Sequence, residues 1–327
     1  MLSRVAESLY WMARYLERAE NTARFINSTT QVLLDLPRGA SFGWDVLLKA
    51  AGLDNRYGQH HHGPPDEAEI MRFLILDERN PSSIVASIHN ARENTRTFRE
   101  VLPMEIWERI NGLYLYTRDN AARAAQGRSQ RYEVLNGVIE RRQSVIGLLM
   151  GSMSQDLAYQ FIKLGQNLER ADMTTRILDV NSAFLLPADA AAAEIARERL
   201  WISTLNALSA YQMYRQHVGV HVVGSDVVRF LLTNPHFPRT VRHCLGEIEN
   251  CLCDLIHYER PLNVARHAWK RLEAIGFDNL PMDGLHEHMD QLQGDLAALH
   301  DAISRQYFSL YQLSGMQEQT QSSSHSP

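Results

Sequence analysis

The sequence predicts an all-α protein, a helical bundle built from two similar halves. No segment alternates convincingly between apolar and polar residues over the length of a strand. Apolar side chains recur instead at steps of three and four along most of the chain. A charged motif, Leu-Glu-Arg-Ala followed by an acid, begins at residue 16 and again at residue 168. We therefore expect a tandem duplication whose halves are related by a pseudo-twofold axis.

The two copies of this motif fall on two helices that are apolar nearly all round, which is typical of buried helices. Breaking a buried charge pair costs roughly 3 to 5 kcal/mol, so the charges of each copy should be paired by the other copy. Glu17 would then face Arg170 or Arg176. Glu169 would face Arg18 or Arg24. The charged motif positions are Glu17, Arg18, Glu20 and Arg24 in the first copy and Glu169, Arg170, Asp172 and Arg176 in the second.

Six helices are expected in the first half, separated by residues that stop or cap helices. The segment 55–65 should be a mobile, exposed loop, because it is rich in Gly and Pro. Its consecutive histidines, residues 60–62, have no carboxylate or cysteine frame around them and predict no metal site. The expected helices cover residues 1–36, 41–51, a stretch from 65, 82–101, a stretch from 103, and a last one that follows a polar break at 126–130.

The second half repeats the order of the first at an offset slightly larger than that of the motif helices. Pro238 repeats Pro81, Trp201 repeats Trp44, and the triplet 229–231 repeats the triplet 72–74. We therefore predict a first repeat at residues 1–151 and a second at 152–313. The polar residues 314–327 should form a disordered tail.

Composition excludes several classes of function. The chain has 327 residues and a net charge of −5, without the basic surplus expected of a nucleic-acid-binding protein. Its apolar runs are too short to cross a membrane, and charges interrupt any secretory signal at the start. Cys244, Cys251 and Cys253 have neither zinc nor redox spacing, which indicates reduced thiols and a cytoplasmic location. No cofactor and no metal is expected.

The residues 2–24 resemble the opening of the bacterial alpha-E domain family, and the resemblance extends to about Leu313. The segments 91–96 and 164–172 fit the family as well, although Asp172 replaces the second Glu of the motif. Family members occur beside ATP-grasp ligases, a transglutaminase-like protein and a proteasome-like peptidase. The resemblance implies a non-catalytic helical partner, or a substrate-presenting protein, in a peptide synthesis or modification system.

An enzyme, or a ligand- or metal-binding protein, is the alternative. Glu17 with Glu20, and Glu169 with Asp172, give two acid pairs that facing helices can offer to metal ions. The Glu-x-x-His that usually completes such a site is missing, so charge pairing with arginine is favoured over metal binding. A site that binds a small anionic or peptide ligand through Arg18 and Arg170 stays open, because guanidinium groups suit carboxylates.

A possible partner surface lies on the fourth and fifth predicted helices, where arginine and an aromatic residue occur together as at interface centres. The alternative is that the Trp belongs to the core and the arginines are solvated. The residues of this surface are Arg92, Arg96, Arg99, Trp107 and Arg109.

Overall fold

A computed structural model describes residues 2–35, 43–59, 61, 63, 66–180, 190–277 and 284–308. Within these ranges every regular element is helical, which confirms the all-α prediction. The helices are α1 (Ser3–Asp35), α2 (Asp45–Ala51), α3 (Asp54–Gly58), α4 (Glu67–Ile75), α5 (Ile84–Thr97), α6 (Met104–Gln126), α7 (Arg128–Ser152), α8 (Leu157–Val180), α9 (Ala190–Ala207), α10 (Tyr211–His217), α11 (Gly224–Thr233), α12 (Val241–Cys253), α13 (Glu259–Ala274) and α14 (Leu285–Tyr307).

The two motif helices, α1 and α8, pack against each other at the centre of the molecule. Gly165 of α8 faces the backbone of α1, and a Cβ at this position would collide with the carbonyl oxygen of Tyr10. The glycine therefore sets how closely the two helices approach. Helices α5, α7 and α9 surround α1, while α12, α14 and α2 surround α8. Both motif helices are consequently buried on most sides, as their apolar sequences predict.

The outer helices pack in pairs, α6 with α7 and α13 with α14, and a single residue, Gly127, separates α6 from α7. Helices α5 and α12 begin at side-chain caps that satisfy a free backbone N–H of the first turn. The Ser83 hydroxyl accepts from the N–H of Ala86, and the Thr240 hydroxyl accepts from the N–H of His243. These caps fix the residues just before each helix, which lie beside the central pair.

The expected exposed loop at 55–65 is partly wrong. Its first residues belong to the short helix α3, and the side chain of Tyr57 is buried there against Phe73. The ring of His61 stacks on that of Tyr57 at a centroid distance of 4.1 Å. Because burial of Tyr57 anchors the segment, it is not a free loop; His60 and His62 lie outside the described residues.

Several helix boundaries also differ from the prediction. Among the described residues seven helices precede residue 153 and seven follow it, where the sequence predicts six in each half. The break expected at 126–130 is a single residue, Gly127, between α6 and α7. The helix expected over 82–101 ends at Thr97 and is followed by a 3₁₀ turn. The predicted tail at 314–327 lies outside the described residues. In the part of the chain that is described, no helix combines the length and the apolar character that crossing a membrane requires.

Candidate functional site

The two acids of the first motif copy are sealed inside the protein. Glu17 and Glu20 are both fully buried, and Arg142 of α7 is ion-paired with both of them. Arg239, which precedes α12, donates to Glu17 Oε1 at 2.9 Å, to Glu20 Oε1 at 2.9 Å and to Asn21 Oδ1 at 2.6 Å. We call these residues, together with Arg170, the closed cluster.

Arg170 joins the closed cluster from the second motif copy. Its Nε lies 3.0 Å from Glu17 Oε1, across the α1–α8 interface. With its carboxamide oxygen turned toward the guanidinium groups, Gln166 accepts from Arg170 at 2.8 Å and from Arg142 at 3.1 Å. The carboxylate of Glu17 is thus surrounded by three guanidinium groups.

The second motif copy is held differently. Glu169 is buried and accepts from Arg14 Nε at 2.7 Å and from Arg18 Nε at 2.6 Å, both on α1. The Arg14 and Arg18 side chains keep 11% and 20% of their surface exposed; in the closed cluster the exposed fractions are 2% for Arg142, 9% for Arg239 and 14% for Arg170. Of the two arginines that hold Glu169, Arg18 is therefore the one that solvent reaches most.

The expected cross-pairing is present for Arg170 with Glu17 and for Arg18 with Glu169. The other two motif arginines pair within their own helices. Arg24 donates to Glu20 at 2.7 Å and Arg176 donates to Asp172 at 2.9 Å, each across one helical turn. Residues four apart on a helix are neighbours, so the second arginine of each motif holds the acid of the same copy.

A cavity of about 240 Å³ opens beside the second copy. We call it the motif pocket. Its charged lining consists of three arginines and two acids, which leaves one positive charge in excess. The polar residues that matter below are Arg14, Arg18, Glu169, Asp172, Arg176 and Ser82.

The motif acids are poorly suited to proton transfer. Burial alone would raise the pKa of Glu17, but Arg142, Arg170 and Arg239 outweigh it and hold that pKa well below its usual value. Glu20 is shifted in the same direction for the same reason. A general acid or base works best with a pKa near the operating pH, and these carboxylates stay ionised throughout the neutral range.

Glu169 behaves like the acids of the closed cluster. Burial opposes its ionisation, yet Arg18 and Arg14 together bring the pKa of Glu169 down to about 2. Its two oxygens already accept from these arginines. A metal ion would have to displace them, so the geometry favours charge pairing at this position.

Other chemically active groups lie outside the motif. Among the described residues, Asp179, His286 and Asp290 have the spacing to hold a metal ion, but the group is largely exposed and none of the three belongs to the motif. Burial raises the pKa of the Cys244 and Cys251 thiols to about 12. A thiol with so high a pKa is a poor nucleophile.

Three arginines that pair with the motif acids were not predicted from the sequence. Arg142 had a readable signal, because it occupies the apolar seam of α7 between Val138 and Val145 at the helical spacing. A charge at a seam position demands a buried partner. Arg14 lies one turn before Arg18 on the same face. Arg239 has no local signal, since it precedes a cap and its partners lie more than 200 residues away.

The predicted partner surface separates into a packed pair and exposed arginines. Arg92 lies with its Cζ 5.5 Å from the centre of the Trp107 ring, and it donates to Asn111 at 2.7 Å. Trp107 is half-buried, so it belongs neither fully to the core nor fully to an exposed partner surface, the two interpretations of the sequence. The remaining residues face solvent: Arg96, Arg99 and Arg109.

Fold and site together define an all-α protein organised around two central helices that carry buried Glu–Arg ion pairs. The chain belongs to the Alpha-E family, described as a predicted alpha-helical domain with a conserved ER motif, and the family model matches residues 1–308. It is also similar to uncharacterised proteins of Mycobacterium bovis and Mycobacterium tuberculosis, with 23% identity over 331 aligned positions. The match covers 92% of this chain and 35% of each relative, so the chain spans about a third of their length. No solved structure matches the chain.

Proposed function

We propose that this chain is a non-catalytic helical partner, or a substrate-presenting protein, in a bacterial peptide synthesis or modification system. The expected partners are an ATP-grasp ligase, a transglutaminase-like protein and a proteasome-like peptidase. One observation carries the non-catalytic part: the motif carboxylates are buried and held ionised by arginines. Such groups organise a fold or position charge, and they do not exchange protons near neutral pH.

The length of the relatives supports a role as a partner. In the mycobacterial proteins the matching region is joined to further chain that makes up about two thirds of the total, since it covers 35% of them. A helical module that is fused to additional polypeptide in some proteins is a good candidate to bind separate proteins in others.

We further propose that the protein arose by duplication, with repeats at residues 1–151 and 152–313 about a pseudo-twofold axis. Corresponding helices have corresponding neighbours: α5 and α7 contact α1, while α12 and α14 contact α8. The C-terminal ends of α2 and α9 also match. Gly52 and Ser209 both have positive φ, and the next residue of each, Leu53 or Ala210, donates its N–H to a carbonyl five positions back.

A cytoplasmic location belongs to the same proposal. All three cysteines are free, and two of them, Cys244 and Cys251, are buried without pairing. Unpaired thiols are typical of reducing compartments.

Affinity purification of the tagged protein from its native host tests the partner proposal. We expect mass spectrometry to identify an ATP-grasp ligase or one of the other two partners. Charge reversal at the exposed surface, Arg96→Glu with Arg99→Glu, should reduce recovery at least several-fold. Arg260→Glu is the control for charge reversal, because Arg260 is also exposed but lies on α13.

Two results would count against the proposal in different ways. Absence of all three partner classes from the wild-type purification would overturn the partner role itself. Equal recovery by the double reversal and by Arg260→Glu would leave the partner role intact and exclude the surface around Arg96.

A further inference from the structure

The motif pocket occupies the place that an arginine fills in the other half of the chain. Ser82 and Arg239 each follow a proline and precede a cap, Ser83 or Thr240. Each cap accepts from a backbone N–H three residues on, at 3.1 Å and 3.2 Å respectively. Ser82 and Arg239 therefore hold the same position relative to helices α5 and α12.

The acceptors of Arg239 also have counterparts. Arg239 spans the gap to α1 and donates to three side chains there: Glu17, Glu20 and Asn21. At the offset of the motif copies, the corresponding positions of α8 line the motif pocket: Glu169, Asp172 and Met173. Ser82 lines it from the other side but is too short to cross the gap. The pocket is the space that an arginine at position 82 would occupy.

The walls of this space offer a cation fewer acceptors than the closed cluster offers Arg239. Met173 offers no acceptor where Asn21 accepts from Arg239. Arg14 stands where Gln166 stands in the closed cluster, so a donor replaces an amide. A cation in the pocket would meet three guanidinium groups and two carboxylates that already accept from them. The net positive charge of the pocket and its free N–H donors both favour a ligand that carries hydrogen-bond acceptors.

Two of these arginines are placed to receive it. The side chains of Arg18 and Arg176 keep 20% and 29% of their surface exposed, and both line the pocket. Arg18 donates to Glu169 from Nε at 2.6 Å and from Nη2 at 3.1 Å, and Arg176 donates to Asp172 from Nε at 2.9 Å. The Nη1 group of Arg18 and both Nη groups of Arg176 keep N–H donors for a second acceptor. Planar guanidinium forks bind carboxylate and phosphate groups especially well.

We propose that the motif pocket binds a small ligand through a carboxylate or phosphate group held between Arg18 and Arg176. Its volume of about 240 Å³ lies below the roughly 300 Å³ at which pockets begin to enclose drug-sized molecules. A small metabolite fits, and so does the terminal carboxylate of a peptide. The inference goes beyond the proposed function and does not depend on any partner protein.

Titration calorimetry of the full chain at low ionic strength tests this with four probes: inorganic phosphate, succinate, and one tripeptide with either a free or an amidated C-terminus. We expect the wild type to bind at least one of the three probes that carry a free anionic group, and the amidated peptide not to bind. Preference for the free-acid tripeptide over succinate and phosphate would identify a peptide terminus as the source. The reverse preference would identify a small metabolite.

The decisive variant is Ser82→Arg, which copies Arg239 into the pocket. The substitution adds a positive charge, so non-specific electrostatic attraction alone would strengthen anion binding. If the new arginine side chain fills the pocket, the affinity for the anionic probe should instead fall at least tenfold. Ser154→Arg adds the same charge at an exposed position elsewhere and should leave affinity unchanged or slightly higher. Circular dichroism establishes that each variant is folded.

Arg176→Met provides a second route if Ser82→Arg does not fold. It removes one half of the guanidinium pair and should also weaken binding at least tenfold, while Arg260→Met, on an exposed face, should not. The proposal is overturned if no anionic probe binds the wild type, or if a folded Ser82→Arg or Arg176→Met binds as tightly as the wild type does.

Discussion

The two copies of the Glu–Arg motif share a sequence but differ in their surroundings. Around Glu17 three arginines converge, whereas Glu169 is held by two arginines beside an open pocket. The cross-pairs of Arg18 and Arg170 are common to both sides and hold the central helices together. Residues outside the motif, such as Arg239 and Ser82, decide whether a copy is sealed or accessible. The motif alone therefore specifies the helix pair and not the site.

Removing Arg142 should produce the largest effect, because it leaves Glu17 and Glu20 buried with fewer partners. We expect Arg142→Met to lower the free energy of unfolding by about 3 to 5 kcal/mol. Arg18→Met, on the open side, should cost about 2 kcal/mol, since solvent reaches this side chain and Arg14 continues to hold Glu169. Urea denaturation followed by circular dichroism measures both.

The exposed Arg260→Met is the control for this pair and should change the free energy of unfolding by less than about 0.5 kcal/mol. Equal losses for Arg142→Met and Arg18→Met would contradict the distinction between a sealed and an open copy. No loss from either would remove the structural role of the ion pairs altogether.

The free energy of unfolding at acidic pH should depend on the ionisation of the buried carboxylates. The pKa of Glu169 is about 2 in the folded protein and near its usual value when unfolded, so its ionised form contributes stability that is fully present above about pH 4.5. That contribution, about 3 kcal/mol, should disappear as the pH falls toward 2. Urea midpoints measured between pH 5 and 2.5 test this, and the Glu169→Gln profile should be flatter than that of the wild type. A profile of the same slope in both proteins would contradict the assignment.

The sequence predicted the central part of the fold well and its periphery less well. Long apolar seams identify α1 and α8, and the repeated motif identifies the cross-pairs because buried charges must be neutralised. The short helix α3 was not predicted, because the Gly- and Pro-rich composition of the segment indicated a loop and only one residue, Tyr57, anchors it to the core. Arg239 could not be assigned because its role depends on tertiary placement, which no local pattern encodes. The motif pocket was unpredictable for the same reason.

His300 makes the stability of the open side depend on pH in the mildly acidic range. Burial and the neighbouring Arg14 hold the pKa of His300 at about 4, and its Nδ1 lies 2.8 Å from the Tyr10 hydroxyl. A histidine with a lowered pKa stabilises the fold when neutral, so this contribution is complete above about pH 6.5 and is lost as the pH falls toward 4. We expect about 1 to 3 kcal/mol less stability at pH 4.5 than at pH 7.5 from this group, given its partial exposure.

Urea denaturation of His300→Gln across the same range should show a weaker pH dependence than the wild type. His236→Gln is the control, because His236 is exposed. If both variants keep the wild-type slope between pH 7 and 5, His300 does not carry the effect.

The smallest expected effects concern the two residues that end α2 and α9. Gly52 has φ +64°, and a Cβ there would press on the Arg176 guanidinium, which lines the pocket. Ser209 has φ +54° at the corresponding position, where a non-glycine residue is strained. Gly52→Ala should therefore lower the free energy of unfolding by about 1 to 2 kcal/mol.

Ser209→Gly should raise the free energy of unfolding by about 0.5 kcal/mol, because relief of strain exceeds the entropy that glycine adds to the unfolded chain. Urea midpoints of the two variants should move in opposite directions, and Gly52→Ala alone should weaken anion binding by displacing Arg176. Shifts of the same sign would show that the two helix ends are not equivalent, and the duplication proposal would lose this support.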